Sequence, residues 1–173
     1  RATGASNWSP ARLAEARAYA GRKGIGGFCA SQVAFSLAVA NPGFDRDGTL
    51  SLDAEARRYH EGTGLPLAAY SSQAKGFFSG KYVRGMGKPG SGSPNVADAY
   101  FSDVNFDRLE RATRLAAAMG RTPNEVALAY LFSQRFPVIA VVGPRSVEQL
   151  AASCSAADLV LSGEQVRGLE GRV

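Results

Sequence analysis

Four short apolar segments, each separated from the next by helix-like sequence, place the strongest constraint on the fold of this 173-residue chain. The first runs into Gly4-Ala5-Ser6-Asn7 at the start of the chain, and the others are Phe28–Phe35, Leu65–Tyr70 and Val138–Val142. Strands of continuous apolar composition are typical of parallel sheets that are covered on both faces. Their alternation with helices predicts an α/β fold.

Local capping signals predict where several helices begin. Ser9-Pro10 favours a helix start, because serine suits the N-cap and proline suits the first helical position. Three Ser or Thr residues also have a Glu or Gln three positions later, which is the spacing of a capping box. These pairs are Thr122 with Glu125, Ser146 with Gln149, and Ser162 with Gln165.

The remaining segments are predicted from their composition. Helices are expected over Leu52–Glu61 and Asn105–Met119, and the helix that starts at Thr122 is expected to run through Gln134. Val83–Asp103 is rich in Gly, Pro and Ser, which predicts a long loop that forms a lid or clamp or is simply disordered.

Composition narrows the classes of function. No stretch approaches the ~20 apolar residues that a membrane helix needs, and the start of the chain has no signal-peptide pattern. Cys29 and Cys154 lack metal or redox spacing, so we expect buried free thiols in a reducing compartment, the cytoplasm. The net charge of +5 is spread along the chain without a basic run that contains aromatic residues. A small anionic ligand is therefore favoured over nucleic acid.

The number of strands predicts an incomplete sheet. Four parallel strands cannot close a barrel and would leave unpaired edges. We therefore expect the chain to belong to a larger barrel or to pair with a second copy of itself, either of which would cover an exposed apolar surface. Val33, Phe35, Leu67, Ala69, Ile139 and Val141 are expected on or beside that surface.

Five segments in series, covering essentially all of the chain, resemble the aldo-keto reductase family. They are GASNWSP, ASQVAFSL, AAYSSQAKGFFSGKY, TPNEVALAYLFSQ and VIAVVGPRSVEQLAAS. Members of this family are TIM-type (β/α)8 barrels that bind NADP(H) without a Gly-rich dinucleotide motif. The resemblance implies that residues 1–173 form one domain, the C-terminal half of such a barrel, with strands five to eight. It also implies that the chain starts within strand five.

The resemblance assigns four residues to the nicotinamide. Ser6, Asn7 and Gln32 would hydrogen-bond the carboxamide, which needs both a donor and an acceptor. Tyr70 would stack on the nicotinamide ring. The residues alone leave other interpretations open. Ser6 and Asn7 also suit a turn or cap, Gln32 could be satisfied within the barrel wall, and Tyr70 could be a core aromatic residue.

Residues after the last two strands are assigned to the phosphates and the adenine. The segment before the helix at Ser146 is a helix N-terminus that suits an anion, and the planar fork of Arg145 suits phosphate, although a solvated surface arginine is the alternative. We expect Ser71, Gln73 and Lys75 at the pyrophosphate, and Gly143, Pro144 and Arg145 at the anion site before that helix, with Arg145 at the adenosine 2′-phosphate. Gln149 and Ser153 could face the adenine.

The chain departs from the family pattern at several positions. Ser31 replaces the usual Asn, Phe35 the usual Tyr, Ser72-Gln73 the usual Pro-Leu, and Ser153 the usual Asn at the adenine. The nicotinamide residues are retained, whereas the adenine end is weakened. These departures affect the expected affinity and cofactor preference more than the expected mode of binding.

The family's catalytic residues have no counterparts in this chain. The Asp, Tyr, Lys and His of the family tetrad lie in the first four strands, and His60 is expected to be a solvated helix residue. The resemblance thus implies an NADP(H)-dependent oxidoreductase that acts on a small carbonyl or alcohol. This chain would supply the cofactor half and no catalytic residue. The alternative is a non-enzymatic NADP-binding or interaction module, or an inactive remnant.

Overall fold

A parallel sheet of four strands forms the centre of the computed structural model, which describes residues 1–43, 48–87 and 96–172. The strands are β1 (Gly4–Ser6), β2 (Ala30–Ala34), β3 (Leu67–Tyr70) and β4 (Val138–Ala140). Each strand pairs with the next in chain order, and every pairing is parallel. The predicted α/β fold with a parallel sheet is confirmed, although the strands are shorter than their apolar segments.

Seven α-helices connect and flank the strands in the described residues. They are α1 (Pro10–Lys23), α2 (Ala54–Thr63), α3 (Val96–Tyr100), α4 (Asp103–Met119), α5 (Pro123–Phe132), α6 (Val147–Ser155) and α7 (Gly163–Glu170). Short 3-10 helices lie at Ala74–Gly76 and Ala156–Asp158. Strand and helix thus alternate over the first part of the chain, whereas α3, α4 and α5 follow one another between β3 and β4.

The capping signals predict most of the helix starts. The boxes at Thr122 and Ser162 have both reciprocal hydrogen bonds, and Ser9 caps α1. The third predicted box is only half formed. Ser146 Oγ accepts from the Gln149 N–H, but the Gln149 side-chain oxygen accepts from the N–H of Arg145 at 2.8 Å. The preceding turn brings the Arg145 amide within reach of that side chain.

The predicted long loop Val83–Asp103 contains a helix. Residues 88–95 of that segment lie outside the described residues, but α3 occupies Val96–Tyr100 and most of its side chains are buried. The side chain of Asn105 is fully buried and bonds the Val39 and Tyr100 carbonyls at 2.7 and 2.9 Å. The glycine and proline residues nearby in sequence favour a loop, so the sequence did not indicate α3. This helix is stabilised by packing rather than by local sequence.

The two faces of the sheet differ in burial. Helices cover the face that carries Val33, Leu67 and Ala69, and these residues belong to the main core with Phe35. On the other face Ile139 is 57% exposed, and Val141, just beyond β4, is 46% exposed. The expectation that Val33, Phe35, Leu67 and Ala69 lie on the uncovered surface is therefore wrong, and only Ile139 and Val141 of that set are exposed. Side chains alternate between the two faces along a strand, and the sequence did not show which residues face the helices.

The two cysteines are exposed. Cys29 and Cys154 are both free thiols, but the prediction that they are buried is wrong. Cys154 lies on an exposed side of α6, and Cys29 directly precedes the amino end of β2. Small and apolar neighbours in sequence did not indicate which side of each element faces the core.

His60 is 2% exposed, so the prediction of a solvated helix residue is also wrong. Its Nδ1 lies 2.6 Å from the Leu65 carbonyl oxygen, which can only accept, and Nδ1 therefore carries the proton. Nε2 accepts from the Ser31 hydroxyl at 3.0 Å. Burial lowers the pKa of His60 below 6.5, although the bond to Leu65 opposes this shift. The histidine packs near the amino ends of β2 and β3, as a neutral buried group.

We expect the free energy of unfolding to fall as the pH decreases from about 7.5 to about 5. The unfolded chain takes up a proton at the only histidine near pH 6.5, whereas the folded chain resists protonation until a lower pH. His60→Gln should remove this histidine contribution and lower the stability itself by about 1–3 kcal/mol, because buried hydrogen bonds are lost. Denaturant unfolding at both pH values tests this, and identical pH slopes for the two proteins would contradict it.

Candidate functional site

Polar side chains gather where β1, β2 and β3 end. Ser6 is paired with Gln32, and Ala34 is paired with Tyr70. Because side chains alternate along each strand, Ser6, Gln32 and Tyr70 share the face that the helices leave uncovered. Carboxyl ends of parallel strands are the usual position of ligand sites in folds of this class. The structure thus brings the residues assigned to the nicotinamide to one edge.

Asn7 and Tyr70 form the centre of this edge. The Tyr70 hydroxyl donates to Asn7 Oδ1 at 3.0 Å, and the Leu50 N–H donates to the same oxygen at 3.1 Å. The Asn7 N–H donates to the Gln32 carbonyl at 2.8 Å. The amide NH2 of Asn7 makes a long contact of 3.5 Å with Ser6 Oγ. The side-chain oxygen is thus engaged within the chain, and the NH2 group is the part suited to a ligand.

Strained backbone is concentrated at the same edge. In the described residues, the non-glycine residues with positive φ are Asn7 at 56°, Ser71 at 54°, Ala74 at 47° and Lys75 at 54°. Such conformations cost energy and tend to occur where function requires them. All four follow β1 or β3, so the strain coincides with the predicted site.

The turn after β3 is fixed to its neighbours by side-chain hydrogen bonds. Ser72 is buried and donates to the Val141 carbonyl at 2.6 Å, which ties the turn to the end of β4. Gln73 Nε2 donates to Ser153 Oγ at 3.3 Å, which ties the turn to α6. The two residues that replace the family's Pro-Leu therefore have structural roles. These two hydrogen bonds fix the position of the turn that carries Ser71 and Lys75.

The segment after β4 presents an arginine to solvent. Gly143 and Arg145 are exposed and lie just before α6. Ser153 is 7% exposed and donates to the Gln149 carbonyl at 2.8 Å, while the Gln149 side chain accepts from Arg145 as described. Both side chains assigned to the adenine are thus already hydrogen-bonded within the chain. Arg145 follows β4 and Lys75 follows β3, so both come after the carboxyl ends of neighbouring strands.

A cavity of about 730 Å³ opens beside this edge. Its wall includes Tyr70, Ser71 and Lys75. Among the residues that the structure describes, five basic and two acidic side chains line it: Arg57, Arg58, Lys75, Arg108 and Arg172, with Asp53 and Glu170. Sequence reasoning missed the arginines, because they come from α2, α4 and the end of the chain and share no motif.

Leu50 is another residue whose contribution to the site was not predicted from the sequence. Its N–H bonds Asn7, and its carbonyl accepts from the Tyr70 hydroxyl at 3.4 Å. Leu52 extends the contact by donating its N–H to the Ala34 carbonyl at 2.9 Å. Both contributions are made by backbone groups, so no residue type could have indicated them.

The described residues contain no group of three or more His, Cys, Asp or Glu side chains placed to hold a metal ion. Within the same residues, none of the helices has the length and apolar character needed to cross a membrane.

Comparison with known proteins gives consistent matches. The model of the aldo/keto reductase family matches residues 1–171. The chain is 34% identical over 169 residues to an uncharacterized oxidoreductase of Mycobacterium tuberculosis, covering 94% of this chain and 46% of the relative. It is 27% identical over 166 residues to the uncharacterized oxidoreductase YrpG of Bacillus subtilis, covering 96% and 47%. A shorter match, 28% over 121 residues, is to the protein Tas of Escherichia coli, covering 68% and 34%. The chain spans about half the length of the first of these relatives.

Proposed function

This chain belongs to the aldo/keto reductase family, and we propose that it is the NADP(H)-binding part of an oxidoreductase that converts small carbonyl compounds to alcohols. The observation that carries the proposal is the pair of Asn7 and Tyr70. They are hydrogen-bonded at 3.0 Å at the ends of β1 and β3, in a region of strained backbone. The oxidoreductase relatives support the reaction class.

The nicotinamide would lie against the uncovered face of the sheet. The Asn7 NH2 group can donate to the carboxamide oxygen, while Ser6 and Gln32 can accept from its NH2 group. The Tyr70 ring would pack against the nicotinamide, with its hydroxyl held by Asn7 and Leu50. The hydrogen bonds that Tyr70 and Leu50 donate to Asn7 Oδ1 support these donor and acceptor roles, because they fix the amide in one orientation.

The phosphates would be bound by the segments that follow β3 and β4. Ser71, Gln73 and Lys75 would contact the pyrophosphate, and Gly143, Pro144 and Arg145 the adenosine 2′-phosphate. The N-terminus of α6 adds a favourable dipole there. Gln149 and Ser153 would contribute least, because their internal hydrogen bonds compete with the adenine.

NADPH, when bound, supplies a hydride to a carbonyl carbon. The protein must then hold the ring, exclude water and deliver a proton to the carbonyl oxygen. The described residues offer groups that can hold the nicotinamide ring. The Tyr70 hydroxyl is committed to Asn7, and His60 lies near the opposite end of β3, so we assign the proton donor to residues outside this chain. On this proposal the chain alone is inactive.

The uncovered sheet face suits a further part of a barrel. Ile139 and Val141 are exposed there beside Gln32 and Tyr70, a mixture that fits the inner surface of a (β/α)8 barrel. We propose that an N-terminal half, or a second copy of this chain, covers it. The exposed free thiols Cys29 and Cys154 suit a reducing compartment, so we place the protein in the cytoplasm.

Replacing Arg145 with alanine tests the cofactor assignment. We expect the affinity for NADPH to fall by about 5- to 150-fold, the equivalent of about 1–3 kcal/mol for a charge-assisted hydrogen bond, and the affinity for NADH to stay unchanged. Arg135→Ala, an exposed arginine before the amino end of β4, is the matched control and should bind NADPH as the parent does. Calorimetric titration measures both. Equal affinity of the parent protein for NADPH and NADH would exclude the 2′-phosphate role.

A non-enzymatic NADP-binding protein is the alternative function. It is favoured by the lack of a placed Tyr, Lys, His and Asp set among the described residues. The sequence upstream of Arg1 distinguishes the two, since a D-x-A-x-x-Y-G segment followed by a Lys and a strand-end His would support the enzyme.

A further inference from the structure

Part of the wall of the 730 Å³ cavity is rich in arginine and consists of residues that are not assigned to the cofactor. We call this the Arg108 end; its wall is formed by Arg58, Arg108, Tyr130, Glu170 and Arg172. These residues come from α2, α4, α5 and the end of the chain. None of them belongs to the proposed NADP(H) site, so the chemistry of this end stands on its own.

Arg108 is incompletely satisfied. Its Nη1 donates to the Leu37 carbonyl at 2.7 Å, but its buried Nε has no hydrogen-bond partner among the described residues. Leaving a buried donor unpaired is costly, and more so for a charged group. Burial lowers the pKa of Arg108, and the positive charges of Arg111 and Arg172 add to that effect against Tyr130 and Glu170. The side chain is thus a cation that lacks a full set of acceptors.

The nearby carboxylate is already engaged by other groups. Glu170 accepts from the Tyr130 hydroxyl at 2.5 Å and pairs with Arg57 at 3.5 Å and Arg172 at 3.3 Å. Its side chain is only 6% exposed. Arg57 also bonds Gln134 and Tyr130. Glu170 supplies one negative charge against the two guanidinium groups that it pairs with, so positive charge is left in excess around Arg108.

We propose that the Arg108 end binds a small oxyanion, a phosphate or carboxylate group, between Arg108 and Arg58. Such a group accepts several hydrogen bonds at once, and the planar fork of arginine matches its oxygens. It would satisfy the buried Nε and offset the excess charge. Arg58 is exposed on α2 and lines the same cavity, so it is the second cation proposed to contact the anion.

Calorimetric titration of the purified protein with inorganic phosphate and, separately, with malonate tests the proposal, at an ionic strength held constant with NaCl. We expect saturable binding of at least one anion. Arg108→Gln and Arg58→Gln should each weaken it by about fivefold or more, the loss of one charge-assisted hydrogen bond. Binding of phosphate alone assigns a phosphate ligand, and binding of malonate alone assigns a carboxylate.

Two matched controls make the test specific. Arg114→Gln alters an exposed arginine of α4 outside the cavity wall, and Arg145→Ala alters the proposed cofactor site. Arg114→Gln should bind the anion as the parent does, and Arg145→Ala should keep the binding that Arg108→Gln and Arg58→Gln weaken. Absence of saturable binding to the parent, or unchanged affinity in Arg58→Gln and a folded Arg108→Gln, would overturn the proposal. If Arg108→Gln does not fold, unchanged affinity in Arg58→Gln overturns it. Loss of binding in Arg145→Ala would place the anion at the cofactor site instead and also overturn it.

Discussion

Replacing Asn7 with alanine is expected to lower the affinity for NADPH by about 30- to 1000-fold, the equivalent of about 2–4 kcal/mol. The substitution removes the NH2 group proposed to bind the carboxamide. It also leaves the Tyr70 hydroxyl and the Leu50 N–H without the oxygen that accepts from both. Alanine is further strained at a φ of 56°. Calorimetric titration with NADPH measures the loss.

Asn7→Gly separates the loss of the side chain from the backbone strain that alanine introduces. Glycine adopts positive φ without strain but has no side chain. We expect the glycine variant to bind NADPH nearly as weakly as the alanine variant, because the amide is what holds the ligand and Tyr70. Binding restored to the parent level in Asn7→Gly would show that only the backbone conformation matters. The nicotinamide role of the Asn7 side chain would then be wrong.

The 173-residue chain by itself is expected to give no NADPH-dependent reduction of a simple aldehyde above the protein-free rate. General acid catalysis needs a proton donor within hydrogen-bond reach of the substrate oxygen. Tyr70 donates to Asn7 instead, and the single histidine is buried near the amino ends of β2 and β3. Loss of NADPH absorbance in the presence of aldehyde measures the rate.

Tyr70→Phe is the variant that makes this test informative. It keeps the aromatic ring for packing and removes the hydroxyl. Turnover that survives Tyr70→Phe would reveal a catalytic group that the proposed site does not include. Turnover that is present in the parent and lost in the variant would instead make Tyr70 the acid.

The features of the fold that depend on local chemistry were predictable from the sequence. The capping boxes at Thr122 and Ser162 need only residues three positions apart, and both formed as predicted. The alternation of apolar strands and helices predicted a parallel sheet. The phase of each strand was not predictable in the same way, because an apolar run such as that around Leu67 gives no sign of which side chains face the helices.

Long-range contacts account for the remaining errors. His60 is buried by a partner 29 positions earlier, Ser31, and by stacking on Phe136 at 5.2 Å. Helix α3 depends on packing with Phe77, whose ring centre lies 6.4 Å from that of Tyr100. No pattern within either segment records these partners.

The candidate site was predictable only through family resemblance. Ser6, Asn7, Gln32 and Tyr70 are spread over 65 positions of the sequence, and without a family pattern each also suits a structural role. The structure adds the bond between Asn7 and Tyr70 and the backbone contribution of Leu50. No sequence pattern predicted the Arg108 end, because its charged residues come together only in the folded chain.

A structure of the protein with bound NADP⁺ tests the central claim most directly. The account predicts the carboxamide oxygen within about 3 Å of the Asn7 side-chain nitrogen, a usual hydrogen-bond distance. It also predicts the nicotinamide ring against Tyr70 and the 2′-phosphate beside Arg145. A cofactor bound with its nicotinamide away from Asn7 and Tyr70, or with its 2′-phosphate remote from Arg145, would contradict the account.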